Sequence, residues 1–519
     1  MAPPTLPQDE LNAPPGYKFA GYAPAPEAGE NNPGWSYEHG KWLFTGLQAA
    51  PAPAQYMSAP QHPGGRPPVQ YFGAPSHAPV MRHPSNAGAR PVQYMQHQPI
   101  DARAKALKQL EAFEREEYLC PWWAKNGDVN SIAAVLFQTP ERPPFRRERY
   151  ETEDGGFFDV DFLESQASFS RGMVVVLHGL ESCSTSPLAI RMSKASAAAG
   201  FDVAAVNFRG CSRNAAGEQA EVATVTMYNL GFTADVKWLL AKLHHDNPAR
   251  RLYLSGFSLG GNVATKALGE LGASARDLNV CGGAVGCPGF NLVNSAGIID
   301  RSGFNRKVYA ANFLKTMREK AARLHARFPA ARKAFSLETL AKIDTLGELD
   351  DNIIAPLFGF KDRWDYYRQS DSLPYLPKIQ VPHYLLVAAD DPFFCPHTLP
   401  GAADVACGTV RIDYSPLGGH CGFVESGTLS LSSASILKRL FPSRPVPVGR
   451  APNGYLADQL ARMLEHLDAS SGGPPTRAQR EKSVGAHDLS LGTQPRRNTL
   501  QRPVRRMLGP SVLGATKLP

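Results

Sequence analysis

Gly256-Phe257-Ser258-Leu259-Gly260 closes a strand-like run, Arg251 to Ser255, and opens Gly261-Asn262-Val263-Ala264-Thr265-Lys266-Ala267-Leu268, which reads as helix. The pentapeptide is a weak signal alone in a chain with 46 glycines. Its context gives it meaning. A strand that turns at once into a helix leaves room only for small residues on either side of the turn, hence glycines two before and two after the serine. Such a turn lifts the Ser258 hydroxyl clear of the sheet and aims the Leu259 N–H at the same spot.

A serine hydroxyl is a poor nucleophile at neutral pH. An imidazole must take its proton, and a buried carboxylate must hold that imidazole in the right tautomer. After an elbow of this kind the acid is expected next in chain order and the histidine last. His383-Tyr384-Leu385-Leu386-Val387-Ala388-Ala389 reads as a buried strand and ends in Asp390-Asp391-Pro392. Arg411-Ile412-Asp413-Tyr414 reads as another and runs into Ser415-Pro416-Leu417-Gly418-Gly419-His420. The Gly-Gly pair lets the backbone bend so that the His420 ring turns back over the sheet edge. Asp391 is the expected acid, because it opens the short loop from Pro392 to Pro396. Asp390 would then cap the turn by accepting backbone N–H groups.

An oxyanion hole needs a second N–H from the loop after an earlier strand. Gly172 to Leu177 reads as that strand and His178-Gly179-Leu180 as the loop. The Leu180 N–H is the candidate donor beside that of Leu259. His178 lies in the wrong chain order to be the base and is read as a structural histidine that props the loop.

At this point the sequence resembles the YheT-like family of α/β-hydrolases. That family takes in bacterial hydrolases, plant embryogenesis-associated proteins, yeast ethyl-ester synthase/esterases and mammalian phospholipase-type members. The resemblance rests on Leu177-His178-Gly179-Leu180, on Asn207-Phe208-Arg209-Gly210-Cys211-Ser212, and on Tyr228, Gly231, Thr233 and Asp235. It continues through Gly256 to Asn262, Tyr366-Tyr367, Asp390-Asp391-Pro392-Phe393 and Gly418-Gly419-His420-Cys421-Gly422-Phe423. It implies a Ser–Asp–His triad acting on carboxylic esters, carried here by Ser258, Asp391 and His420. The chain departs from the family at Glu181-Ser182-Cys183-Ser184-Thr185, where a glycine-rich stretch is usual. Bulkier residues and a carboxylate beside the oxyanion loop bear on substrate preference more than on reaction type.

The fold class that follows is the α/β-hydrolase fold: a mostly parallel sheet with helices on both faces and an inserted helical cap. Strands are expected near 173–178, 202–208, 251–256, 280–286, 384–389 and 409–414, alternating with helical stretches. Arg149 to Leu163 reads as a β-hairpin around Glu153-Asp154-Gly155-Gly156. Asp101 to Glu117 reads as one charged helix, and Pro121-Trp122-Trp123 should pack on the sheet. Roughly 90 residues separate the strand ending near Cys287 from the one starting at His383, too many for a plain connection. A cap is expected there, about 289–377. Within it Phe313, Leu314, Met317, Ala321, Leu324 and Phe328 fall at helical spacing, with Lys315, Arg318, Lys320 and Arg323 between them as the polar face.

The domain is expected to span 101–445. Residues 1–100 hold 19 of the 45 prolines and a recurring unit, Pro53-Ala54-Gln55-Tyr56-Met57, Pro68-Val69-Gln70-Tyr71-Phe72 and Pro91-Val92-Gln93-Tyr94-Met95. So little apolar area cannot offset the ordering entropy, and the segment is read as disordered. Residues 446–519 are read as a mostly disordered basic tail. From Ser471 onward nine Lys/Arg face two acids, so nearly all of the net charge of +8 sits there. Arg496 to Arg506 is a candidate for weak contact with anionic membranes. The cluster lacks interleaved aromatics and any folded nucleic-acid motif, so no nucleic acid is expected.

The eight cysteines form no C-x-x-C pair and are read as reduced thiols of a reducing compartment. No stretch reaches the 18 apolar residues of a membrane span, and the N-terminus does not read as a signal peptide. The expectation is an intracellular protein, soluble or peripheral to membranes, that acts on a small-molecule or lipid ester without metal or organic cofactor. Two alternatives stay open. An acyltransferase or ester synthase would use the same acyl-enzyme, and a non-catalytic protein would recruit partners through its repeats and tail.

Overall fold

The structure is a computed structural model that describes residues 35–38, 41–44, 99–137, 140–165, 167–214, 217–301, 303–394, 396–425, 439 and 453–474. Ten strands occur among them: β1 (Trp35–Glu38), β2 (Lys41–Phe44), β3 (Arg146–Glu151), β4 (Phe157–Leu163), β5 (Met173–Leu177), β6 (Asp202–Asn207), β7 (Leu252–Phe257), β8 (Val280–Gly286), β9 (His383–Ala388) and β10 (Val410–Ser415). The last eight form one sheet in the order β10-β9-β8-β7-β5-β6-β4-β3. Strands β5 to β10 run parallel, while β4 pairs antiparallel with both β6 and β3.

Every residue of β5, β7 and β9 is buried. Strands covered on both faces read as unbroken apolar runs, which is what Met173-Val174-Val175-Val176-Leu177 shows. Val175, Leu177, Leu254 and Leu385 pack on one face with Leu239, Val263 and Leu268 from the helices Ala234–Asp246 and Leu259–Leu271. Val174, Val176, Tyr253, Tyr384 and Leu386 pack on the other with Met192, Leu460 and Leu464. β5 lies between β6 and β7, so the chain leaves β5 on one side and returns on the other. A crevice opens at the carboxyl ends of strands where the order reverses in this way, here beyond Leu177 and Phe257.

Between β8 and β9 the chain builds a helical layer that includes Ala311–Arg327. It has its own apolar cluster, with Leu314, Leu324, Leu340, Ile343, Leu349, Ile353 and Tyr366 buried. Asn262, on the helix after β7, ties this layer down. Its amide donates to the carbonyls of Leu230 (2.8 Å) and Ser370 (2.9 Å), and its oxygen accepts the Ser372 N–H at 3.1 Å.

Several expectations are corrected. The chain beyond 445 carries a helix, Tyr455–Ser470, in which Leu456, Leu460, Met463, Leu464 and Leu467 are buried against the sheet. Those apolar residues recur at helical spacing and supply the stripe that a docked helix needs. Within 1–100, β1 and β2 pair antiparallel. Trp35, Tyr37, Trp42 and Phe44 are the strand-favouring residues in that stretch. The first domain helix is Pro99–Glu111 and stops short of Glu117. The Arg411 guanidinium donates to the Leu110 and Phe113 carbonyls there, and the Phe113 ring turns in edge-on to Tyr384. Trp123 packs against Ala133, Ala134 and Val424 instead of the sheet. The proline-rich repeats, Cys395 and Arg496 to Arg506 lie outside the described residues.

The terminal helix is joined to the sheet by a buried ion network as well as by its apolar stripe. The Asp468 carboxylate accepts from Arg251 (2.7 Å), Arg171 (3.0 Å) and the Tyr253 hydroxyl (3.0 Å), and neither it nor Arg171 has any exposed side-chain surface. Removing Asp468 leaves the buried Arg171 with less compensation, Glu465 at 3.0 Å remaining, and takes the acceptor from the Tyr253 hydroxyl. Asp468→Leu is therefore expected to cost about 3–5 kcal/mol of stability by urea unfolding. A loss below about 1 kcal/mol would show that the helix is held by its apolar face alone.

Candidate active site

Ser258 stands at the turn between β7 and the helix Leu259–Leu271, with φ 53° and ψ −126°. A side chain other than glycine rarely accepts a positive φ, so the surroundings must hold it there. Its N–H donates to the Gly286 carbonyl at 3.0 Å, and its carbonyl accepts the Asn262 N–H at 3.0 Å. A Cβ at position 256 would meet the Gly260 carbonyl oxygen at 2.7 Å, and one at position 260 would meet that of Leu177 at 2.3 Å. Both glycines are thus required by close backbone approach.

His420 follows the bend at Gly418 (φ 155°) and Gly419 (φ 58°). Its Nε2 lies 2.7 Å from Ser258 Oγ, and its Nδ1 lies 2.8 Å from Asp391 Oδ2. The remaining Asp391 oxygen accepts the Phe393 N–H at 2.8 Å. With Asp391 ionised, Nδ1–H donates to the carboxylate and Nε2 is left to accept the serine proton. The His420 ring stacks on Phe393, with centroids 4.0 Å apart and planes at 20°, and meets Phe394 edge-on. Its backbone N–H donates to Ser131 Oγ at 2.7 Å. Ser131 comes from the helix Gly127–Phe137 and carries no sequence signal. The chain order and the elbow rule say nothing about which hydroxyl steadies the histidine loop.

Asp390 faces the other way. Its Oδ1 accepts the Gly419 N–H at 2.8 Å, so it fastens the bend that carries His420. Burial, with the neighbouring Asp391 charge adding to it, pushes its pKa up to about 6 despite that hydrogen bond.

His178 is buried under the first loop. Its Nδ1 lies 2.7 Å from the Gly179 carbonyl, and its Nε2 accepts the Phe208 N–H at 3.2 Å. Burial lowers its pKa to about 4, so the ring is neutral at physiological pH and braces the loop through both nitrogens. Leu259 directly follows Ser258, and a Cβ at Gly179 would stand 3.3 Å from that of Ser258, so the loop that carries Leu180 runs beside the serine. Leu259 opens its helix, where an N–H has no partner within the helix. Leu180 and Leu259 both line a narrow cavity beneath the cap, about 30 Å³ in volume.

The departure at Glu181 proves structural as well as chemical. Glu181 has φ 55°, and its N–H donates to the Tyr228 hydroxyl at 2.8 Å. Its Oε1 accepts from that hydroxyl and from Lys320 Nζ, both at 2.8 Å. Lys320 was expected on the polar face of the cap helix, yet its side chain is only 4% exposed. The ion pair, the Cys211 sulfur at 3.4 Å and the Tyr228 ring at 5.3 Å compensate its burial. Burial alone would lower the Lys320 pKa, but Cys211 and Glu181 outweigh it and the net shift is upward.

The remaining motif residues fasten the loops around this centre. Asn207 Oδ1 accepts the Ser184 N–H at 3.0 Å, and Arg209 grips Asp235 through two bonds of 2.7 Å. Among the described residues no group of three or more His, Cys, Asp or Glu could hold a metal, and no helix is long and apolar enough to cross a membrane.

A family model described as alpha/beta hydrolase fold matches residues 172–425. YheT of Escherichia coli, named as an esterase, is 32% identical over 283 residues, 54% of this chain and 79% of that one. The monoacylglycerol lipase of Saccharomyces cerevisiae is 29% identical over 241 residues, 46% of this chain and 51% of the yeast protein. Human monoacylglycerol lipase ABHD2 is 25% identical over 331 residues, 60% of this chain and 76% of the human one.

The raised Asp390 pKa has a consequence for stability. The folded state holds this proton more tightly than the unfolded chain, so stability is greatest below the ordinary value of 3.8 and is lost as pH rises through about 6. Asp390→Asn keeps an acceptor for the Gly419 N–H and removes the charge. Relative to the parent protein it is expected to gain about 1–3 kcal/mol between pH 4 and pH 7.5 by urea unfolding. A variant that loses ground over that range would mean that the ionised Asp390 stabilises the bend.

Proposed function

Because the chain belongs to the α/β-hydrolase family alongside YheT, we propose that it is a carboxylic ester hydrolase working through Ser258, His420 and Asp391. One observation carries this reading: the unbroken line from Ser258 Oγ through both His420 nitrogens to Asp391, with contacts of 2.7 Å and 2.8 Å. That line supplies what a hydroxyl lacks at neutral pH. The esterase and monoacylglycerol lipase names of the relatives agree with it.

The proposed reaction has two halves. Ser258 Oγ attacks the ester carbonyl while its proton passes to His420 Nε2. Asp391 stabilises the imidazolium through Nδ1–H. The Leu180 and Leu259 N–H groups hold the oxyanion. Collapse breaks the C–O bond to the alcohol, which takes the proton from His420 and departs. Water then attacks the acyl-enzyme with His420 again as base, releasing the acid and restoring the serine. Met227, Met317, Leu349, Ile353 and Ile354 give the narrow cavity beside Leu180 and Leu259 an apolar wall, and a short or medium acyl chain would have to widen it to pack there.

Ser258→Ala is expected to lower kcat/KM on p-nitrophenyl esters at least about 10³-fold and to abolish fluorophosphonate labelling, with the melting temperature unchanged. Asp391→Asn should cost about 10²-fold or more, because His420 loses the anion that fixes its tautomer, while Asp390→Asn should cost far less. A folded Ser258→Ala protein that retains a few per cent of the activity would remove the serine from this role. The reverse ranking of the two aspartates, in equally folded variants, would hand the acid role to Asp390.

A further inference from the structure

Outside its basic tail the chain is close to neutral as a whole, but the charge is unevenly spread. Residues 301–342, within the cap, hold eleven Lys/Arg against two acids, Glu319 and Glu338, a net of +9. Only part of that charge is neutralised inside the protein. Lys320 is buried on Glu181, Arg306 pairs with Asp344, Arg327 with Glu221 and Lys342 with Glu338. Lys307, Lys315 and Arg318 form no ion pair among the described residues, and Arg318 Nε finds no hydrogen-bond partner there. These three line an open groove of about 840 Å³ together with Arg301, Arg306 and Asp344, so five basic residues and one acid surround it.

The same part of the cap presents apolar side chains to solvent. The helical turns Gly303–Asn305 and Arg306–Ala310 lead into the helix Ala311–Arg327. Phe304 and Val308, one turn apart, are 48% and 38% exposed. Their neighbours turn inward. Asn305 is buried, and its amide donates to the Pro392 carbonyl at 2.8 Å. Tyr309 donates its hydroxyl to Asp128 at 3.0 Å, and its ring meets that of Phe393 with centroids 4.8 Å apart. The Phe304 ring touches Tyr309 edge-on, and Phe393 stacks on His420. Three ring contacts thus lead from the exposed patch to His420.

Apolar side chains bordered by unpaired cations match the interface of a bilayer, where the cations meet anionic headgroups and the apolar groups enter the acyl boundary. A nucleic acid would satisfy the cations and leave Phe304 and Val308 in water. The chain itself offers no obvious counter-surface: residues 1–100 hold five acids and five bases, and the segment after Ser471 is basic.

We propose that this face of the cap docks the protein on a bilayer that contains anionic lipid, through Phe304, Val308, Lys307, Lys315 and Arg318. Docking itself does not depend on the ester-hydrolase reading. Its use does rest on that reading, since docking would bring His420 within three ring contacts of a membrane that holds a lipid ester.

The test is co-sedimentation of the full-length protein with vesicles of phosphatidylcholine alone or with about a third phosphatidylserine. Binding is expected to be at least about tenfold tighter on the mixed vesicles and to weaken as salt rises. Each basic residue at an anionic surface strengthens binding about fivefold, so K307S/K315S should bind about twentyfold more weakly. F304S/V308S keeps every charge and should also bind about tenfold more weakly. Unchanged melting temperatures and p-nitrophenyl ester rates check that both variants are folded. Equal binding to the two kinds of vesicle, or binding to neither, overturns the proposal. Binding that survives in both folded variants also overturns it and hands the membrane to the basic tail. Duplex DNA that displaces the vesicles and binds F304S/V308S as tightly as the parent would assign the groove to nucleic acid instead. The binding measurements need no turnover, so a failure of docking and a failure of the esterase reading are told apart.

Discussion

A methyl group at position 260 would stand 2.3 Å from the Leu177 carbonyl oxygen and 2.5 Å from that of His178. That contact ties the helix after β7 to the end of β5, and much of the site inherits its geometry from it. The two strands are neighbours only because the sheet order reverses between them. Hydrogen bonds at both ends of Ser258 then hold it at a φ of 53°, where a non-glycine residue is strained. The strain is spread over a fully buried strand and a helix buried from Leu259 to Gly269, so the surrounding packing over-determines it. The serine therefore owes its position to the room that Gly256 and Gly260 leave and to the hydrogen bonds at its two ends.

His420 is set by a different device. Its loop strings together positive φ values at Gly418, Gly419, Cys421 and Phe423, a run that has no regular hydrogen-bonding pattern to hold it. Three outside groups supply the restraint: Asp390 on the Gly419 N–H, Ser131 on the His420 N–H, and the Phe393 ring beneath the imidazole. Two adjacent aspartates thus do unlike work. Asp391 faces the ring, and Asp390 faces the backbone that carries the ring. Both follow β9 in the turn beyond Ala388, where hydrogen bonds to Gly419 N–H and to the His420 ring fix them in unlike directions.

Much of this was legible in the sequence wherever local chemistry and chain order agreed. Gly256 to Gly260 fixes a turn that few other residues could make, and the buried strands announce themselves as unbroken apolar runs. What stayed hidden depends on contacts between distant segments. The helix Tyr455–Ser470 has its apolar stripe in plain view, but it lies between stretches rich in Pro, Gly and Ser, and the surrounding composition outweighed the local pattern. Asp468 in that helix meets Arg171 and Arg251 across more than two hundred residues. No local spacing predicts such a pairing. Ser131 is invisible for the same reason, as one serine in a helix that no motif marks.

Lys320 is the instructive case. Helical periodicity puts it between the apolar positions of its helix, and a lysine there belongs in water by default. It is buried because Glu181 lies beneath it, in the stretch after Leu180 that reads as a departure from the resembled family. A glycine-rich loop would leave such a lysine without a counter-charge, and a glutamate at position 181 without the lysine would be an unpaired anion in an apolar cavity. Each residue is intelligible only through the other, so the two constitute a single feature joining the cap to the loop of Leu180.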